Sequence, residues 1–133
     1  MIGWQSGNGA VPGRIRALGL PVFEVEPHRL DDIPALFLRF GRLTGHTAEA
    51  SARAEEFSRR LRALRAAQAG KPPVRVFYQI WSEPLMTLND THIVGDVIAL
   101  CGGVNVFGKA APLVSYVSIE SVLQADQIGR AHV

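Results

Sequence analysis

Thr47–Ala69 reads TAEASARAEEFSRRLRALRAAQA, and the periodicity of this stretch decides the fold. Ala50, Ala54, Phe57, Leu61 and Leu64 recur every four or three residues, which is one face of a helix. Glu49/Arg53, Glu55/Arg59 and Glu56/Arg60 stand at i,i+4 with the acid first, the favourable order. Thr47 supplies a cap, and Glu49 suits the positive end of the dipole. Arg62 and Arg65 suit the negative end, Gly70 takes the left-handed cap, and Pro72-Pro73 forbid continuation. At 1.5 Å per residue the helix is roughly 33 Å long, about the width of a small domain. Burying Phe57, Leu61 and Leu64 contributes about 1.5–3 kcal/mol each, so a single narrow face needs cover. The other faces are charged. A helix so long with so thin an apolar stripe predicts a strut over residues 47–71 lying across two bodies.

Upstream, Trp4-Gln5-Ser6-Gly7-Asn8-Gly9 is turn chemistry after the stub of a strand. Val11, Ile15 and Leu18 have helical spacing, with Pro12 tolerated near the start and Gly19 ending the helix. Leu20–Val25 reads as a short strand, so the order is one βαβ-like step of an α/β layer. Asp31 or Asp32 caps a second helix whose apolar face is Ile33, Leu36, Phe37, Phe40 and Leu43. Gly41 and Gly45 weaken its end.

Downstream, Val74–Ile80 is a strand with both faces largely apolar, followed by a loop at Trp81-Ser82-Glu83-Pro84. Asp90 or Thr91 caps a helix through Leu100, with Ile93, Val94, Val97, Ile98 and Cys101 on its buried side. Val104–Phe107 leads into a proline-containing loop, and Ser118 caps a last helix, Ile119–Ala125, with Glu120 in its first turn. The expected fold class is therefore α/β: two partial Rossmann-like lobes bridged by one long α-helix. Residues 1–46 form the end of the first lobe and 72–126 the beginning of the second. Residues 127–133, QIGRAHV, break the preceding pattern and resemble the translation of a sequencing adapter, so no place in the fold is expected for them.

The 133 residues, 47% apolar and 20% charged, suit an ordinary globular chain with a real core. A net charge of +2 with no aromatic-studded basic strip argues against nucleic acid. No apolar run approaches the roughly 18 residues of a membrane span. The single cysteine, Cys101, excludes an internal disulfide framework. There is no P-loop, GxSxG elbow, HExxH or CxxC, and His28, His46 and His92 lack ligand spacing. Neither catalytic nor metal-binding residues are expected, and no cofactor. Trp4 and Trp81 each follow a strand at a turn, where open α/β sheets bind ligands. A tryptophan there buries on the order of 150–250 Å² and carries an N–H donor.

Five blocks stand out: Gly3-Trp4-Gln5-Ser6-Gly7-Asn8, Leu18–Val22, PPVRVFYQIWSEPLMT at Pro72–Thr87, VIALCGGVNVF at Val97–Phe107, and Val117–Leu123. In their order and spacing they resemble the cobalamin-binding receptor subunits of ABC importers, in the helical-backbone class of periplasmic binding proteins. The resemblance implies two lobes on one helix, with a corrinoid held between them and delivered to a membrane permease by a periplasmic, monomeric receptor that is not an enzyme. It implies that Trp4 packs on the corrinoid from the first lobe. Met86 stands where the family can place an aromatic contact on the second, and Trp81, from the same loop, is expected to compensate. Glu120 matches an acid that docks onto permease arginines. It also implies a signal peptide and further lobe segments outside these residues. A siderophore or haem receptor of the same class, or an α/β metallocofactor-binding enzyme subunit, are the alternative readings.

Overall fold

The protein, described from a computed structural model over residues 2–4, 9–125 and 129–132, is two α/β bodies joined by a long helix. In the first body, β1 (Ile2–Trp4) and β2 (Phe23–Val25) pair in parallel around α1 (Val11–Ala17). The expected βαβ-like step is present. Strand β2 is shorter than the sequence suggests, because Pro21 has no N–H to give a ladder. An Arg16–Glu24 ion pair of 2.7 Å ties α1 to β2.

A 3₁₀ turn at Leu30–Asp32 leads into α2 (Ile33–Thr44). Neither Asp31 nor Asp32 caps α2 in the expected way. The Asp32 carboxylate instead folds back and accepts from the backbone N–H groups of His28 (2.9 Å) and Arg29 (2.8 Å). Gly45, at φ 77°, closes the helix in the left-handed conformation. On the inner face Phe40 meets Phe23 at 5.4 Å, with the Arg39 guanidinium 4.5 Å from the Phe23 ring centre. Leu43, expected on that face, is exposed.

The strut, α3 (Thr47–Gln68), matches its expected span to within one residue. His46, not Thr47, occupies its cap position, and Gly70 takes the expected left-handed conformation. Helices α2 and α3 run back on each other, with Phe37 against Phe57 at 6.3 Å. They approach tightly at Gly41, where a Cβ would stand 2.3 Å from that of Ala50. Ala54 and Leu61 are buried, but Leu64 is 53% exposed. The reason is length: α2 has 12 residues against 22 in α3, so the stripe outruns its cover. Of the expected ion pairs, Glu56–Arg60 forms, and Arg53 bonds Glu56 at 3.1 Å rather than Glu49.

The second body is a sheet in the order β5-β3-β4-β6, with β7 also on β3. Its strands are β3 (Val74–Ser82), β4 (Leu85–Leu88), β5 (Gly103–Asn105), β6 (Val114–Tyr116) and β7 (Gly129–His132). Val76 pairs in parallel with both Asn105 and Gly129, so β5 and β7 flank β3 on opposite edges. Residues Gly129–His132, left out of the fold by the sequence reading, thus lie along β3. Trp81 and Ser82 are the last residues of β3 rather than a loop, and a register shift beyond Gln79 leads into the β3–β4 hairpin.

Helix α4 (Ile93–Leu100) is capped by His92, whose Nδ1 accepts from Val94 N at 3.3 Å, not by Asp90 or Thr91. It buries Gly95 and Ile98, while Val97 and Cys101 are exposed. Those two share a face four residues apart, one row away from the Gly95–Ile98 seam. Helix α5 (Ile119–Gln124) is capped by the Ser118 hydroxyl as expected, accepting from Ser121 N at 3.1 Å. Phe77, Leu88, Ile98 and Val122 are buried apolar side chains of the second body, with Phe107 edge-on to Phe77 at 5.8 Å. Among the described residues no helix is long and apolar enough to cross a membrane.

Candidate ligand-binding cleft

Between the two bodies lies a groove of about 480 Å³. Glu26, Pro27, His28 and Arg29 line it from the first body, and Asp90, Thr91, His92 and Leu113 from the second. Each wall is built at the end of a strand. Trp4 pairs with Val25, the last residue of β2, and Glu26 follows directly. The backbone of Trp4 therefore lies beside the first wall; its side chain is outside the described residues.

The second wall is held by buried amides. Asn105, where β5 ends, donates through Nδ2 to Leu88 O (2.9 Å) and Asp90 Oδ1 (3.2 Å). Asn89 donates to Ala110 O (2.9 Å) and Pro112 O (3.2 Å), and its Oδ1 accepts from Thr91 N and Oγ1 at 3.0 and 2.6 Å. These bonds satisfy backbone groups that burial would otherwise leave unpaired. The Asp90–His92 turn is thereby fixed. His92 Nδ1 is engaged there by Val94 N, which among the described residues leaves Nε2 as the ring nitrogen without a partner at the helix start.

Trp81, Met86 and Tyr116 lie directly opposite one another on β3, β4 and β6, and so share one face of the sheet. Trp81 is 61% and Tyr116 73% exposed, with Met86 half-buried between them. Met86 and Asp90 are four residues apart, roughly 13 Å along extended chain. The structure thus brings Trp81 and Met86 together. Indole Nε1–H of Trp81 already donates to Glu83 O at 2.8 Å, so the ring offers a ligand its face rather than its N–H. Sequence reasoning missed Tyr116, because a three-residue strand after Pro112 carries no periodicity; only its pairing with β4 reveals the row.

Glu120 lies elsewhere. Ser82 and Leu85, the neighbours of Trp81 and Met86, line a cavity of about 350 Å³ under α5 with Ile119, Val122 and Leu123. Successive strand residues point to opposite faces, so α5 and its exposed Glu120 cover the side away from the aromatic row. Its own backbone N–H, then the Ser118 hydroxyl, hold the Glu120 carboxyl below the ordinary glutamate value. Among the described residues no cluster of His, Cys, Asp or Glu suits a metal ion.

Two α/β bodies on one long helix, with a groove between them, define the architecture of the helical-backbone substrate-binding proteins of ABC transporters. The periplasmic haem-binding protein RhuT of Roseiflexus superposes with a TM-score of 0.84 over 98% of this chain and 52% of its own, at 21% identity, which shows the fold alone. Within that class the chain is homologous to the vitamin B12-binding proteins. That of Vibrio cholerae is 32% identical over 124 residues, 92% of this chain and 45% of the relative. The crystal structure of the periplasmic vitamin B12 binding protein BtuF of Vibrio cholerae superposes with a TM-score of 0.80, covering 98% of this chain and 52% of that one. The chain spans about half the length of the curated relatives it matches. No protein-family profile matches it.

Proposed function

We propose that this chain is part of a periplasmic receptor that binds a corrinoid in the groove and delivers it to an ABC importer. The observation that carries the reading is the 32% identity to vitamin B12-binding proteins across 92% of the chain, against 21% to the haem-binding structure. The geometry supports it. A corrinoid is a broad, mostly apolar ring with amide arms, and the Trp81–Met86–Tyr116 row is a flat, largely exposed apolar face on the body that supplies the second wall of the groove. Trp4, whose backbone ends β1 beside the first wall, is the contact this reading assigns to the first body. Groove hydrogen-bonding groups, the His92 imidazole and the Asp90 carboxylate among them, suit the amide arms.

Glu120, on the opposite side of the sheet, is left for the permease and docks onto its arginines while the cargo face stays occupied. The receptor acts as a monomer and carries out no chemistry on its cargo. Calorimetric titration of the full-length protein with cyanocobalamin and with haemin tests the assignment. A cobalamin constant of about 1 μM or tighter, near −8 kcal/mol, with no haemin binding, is expected. Haemin binding without cobalamin binding would move the protein to the haem receptors.

A further inference from the structure

The two bodies share a second tie besides α3. The N–H of Leu30, the first residue of the 3₁₀ turn, donates to Asp96 Oδ2 at 3.0 Å, and Arg29 Nη2 lies 3.2 Å from Asp96 Oδ1. Asp96 belongs to α4 of the second body, 66 residues beyond Leu30. Its side chain is 18% exposed, so the contact is partly shielded from water. Next to it, Arg65 of the strut makes a two-point bond to Asp31 at 3.0 and 2.8 Å. That bond, first of all, holds the Asp31 carboxyl below the ordinary aspartate value. Arg29, Asp31, Arg65 and Asp96 thus join three parts of the molecule with alternating charge.

The position of this joint gives it a consequence. Arg29 is itself a lining residue of the groove, and α4, which carries Asp96, begins directly after the lining residue His92. We infer that Asp96 is a positioning residue, fixing the width of the groove by pinning the Arg29–Leu30 turn to α4. This rests on the receptor reading only in taking the groove as the cargo site. The N–H at the start of a helical turn has no partner within the turn, and a carboxylate is a strong acceptor for it. Without the carboxylate the Leu30 N–H needs water, which the walls must part to admit, while the Arg29 guanidinium, 66% exposed, is released to solvent and no longer holds the turn to α4. The Asp31–Arg65 bond cannot substitute. It joins the turn to the strut, not to the second body, and being exposed it weakens with salt.

Spin labels on the native Cys101 and on Leu18→Cys, both exposed positions, report the separation of the bodies in the full-length protein. The parent should give one narrow distance distribution, alike with and without cobalamin. Asp96→Ala should broaden and shift it and speed cobalamin release several-fold, and Arg29→Ala should do so in part. Asp96→Asn, which keeps an oxygen for Leu30 N–H, should fall between. Should Asp96→Ala fail to fold, Arg29→Ala and Asp96→Asn carry the same reading. A lowered melting temperature with an unchanged distribution in the folded variants overturns the inference, because the joint would then only stabilise. The distance readout needs no ligand, so failure of the corrinoid assignment would leave it standing.

Discussion

In the full-length protein, Trp4→Ala and Trp81→Ala each weaken cobalamin binding by about 1–3 kcal/mol, roughly 5- to 150-fold, as the loss of an aromatic anchor does. For Trp81 the melting temperature should scarcely move. The side chain is 61% exposed, and its internal tie is one hydrogen bond across the hairpin turn to Glu83 O. A side chain that plugged the end of the sheet would behave in the opposite way, lowering the melting temperature and leaving affinity intact. Calorimetric titration beside thermal melts separates the two. Unchanged affinity in both variants would remove the tryptophans from the cargo site.

Gly41→Ala destabilises the protein by about 1–3 kcal/mol, although alanine is the better helix former by about 1 kcal/mol. The added Cβ would meet the Ala50 Cβ at 2.3 Å and the His46 carbonyl oxygen at 3.0 Å. Helices α2 and α3 are joined through Gly45 and His46 alone, so they have little room to part. Overpacking should outweigh propensity here. Gly13→Ala is the control, since nothing lies within 4 Å of a Cβ there and α1 should gain about 0.5–1 kcal/mol. Chemical denaturation of the two variants should therefore give changes of opposite sign. Equal changes would mean that the helix crossing is looser than its geometry.

The strut was legible because two independent signals agree on it: a 3.6-residue stripe and a stop at Gly70-Lys71-Pro72-Pro73. The Ser118 cap was legible for the same reason, being chemistry local to one turn. What a helical stripe cannot report is how far its cover extends. Leu43, Leu64, Val97 and Cys101 all sit at helix-face positions in sequence, yet are exposed among the described residues. Strands β4 and β6, four and three residues long, are too short to show a period of two. Their loss from the sequence reading hid Tyr116 and left Trp81 and Met86 as loop residues. The buried amides of Asn89 and Asn105, which hold the second wall, were unreadable as well. Asparagine in a turn-rich stretch looks like turn chemistry until its partners are seen.

The central claim is that the cargo lies between the two bodies, touching both. A crystal structure of the full-length protein with cobalamin measures this directly. The account predicts a corrin ring with one edge on the Trp4 indole and another against the Trp81–Met86–Tyr116 face. It also predicts the amide arms reaching the groove between Glu26–Arg29 and Asp90–His92. Cobalamin seated against one body alone, or in the cavity under α5, would contradict it.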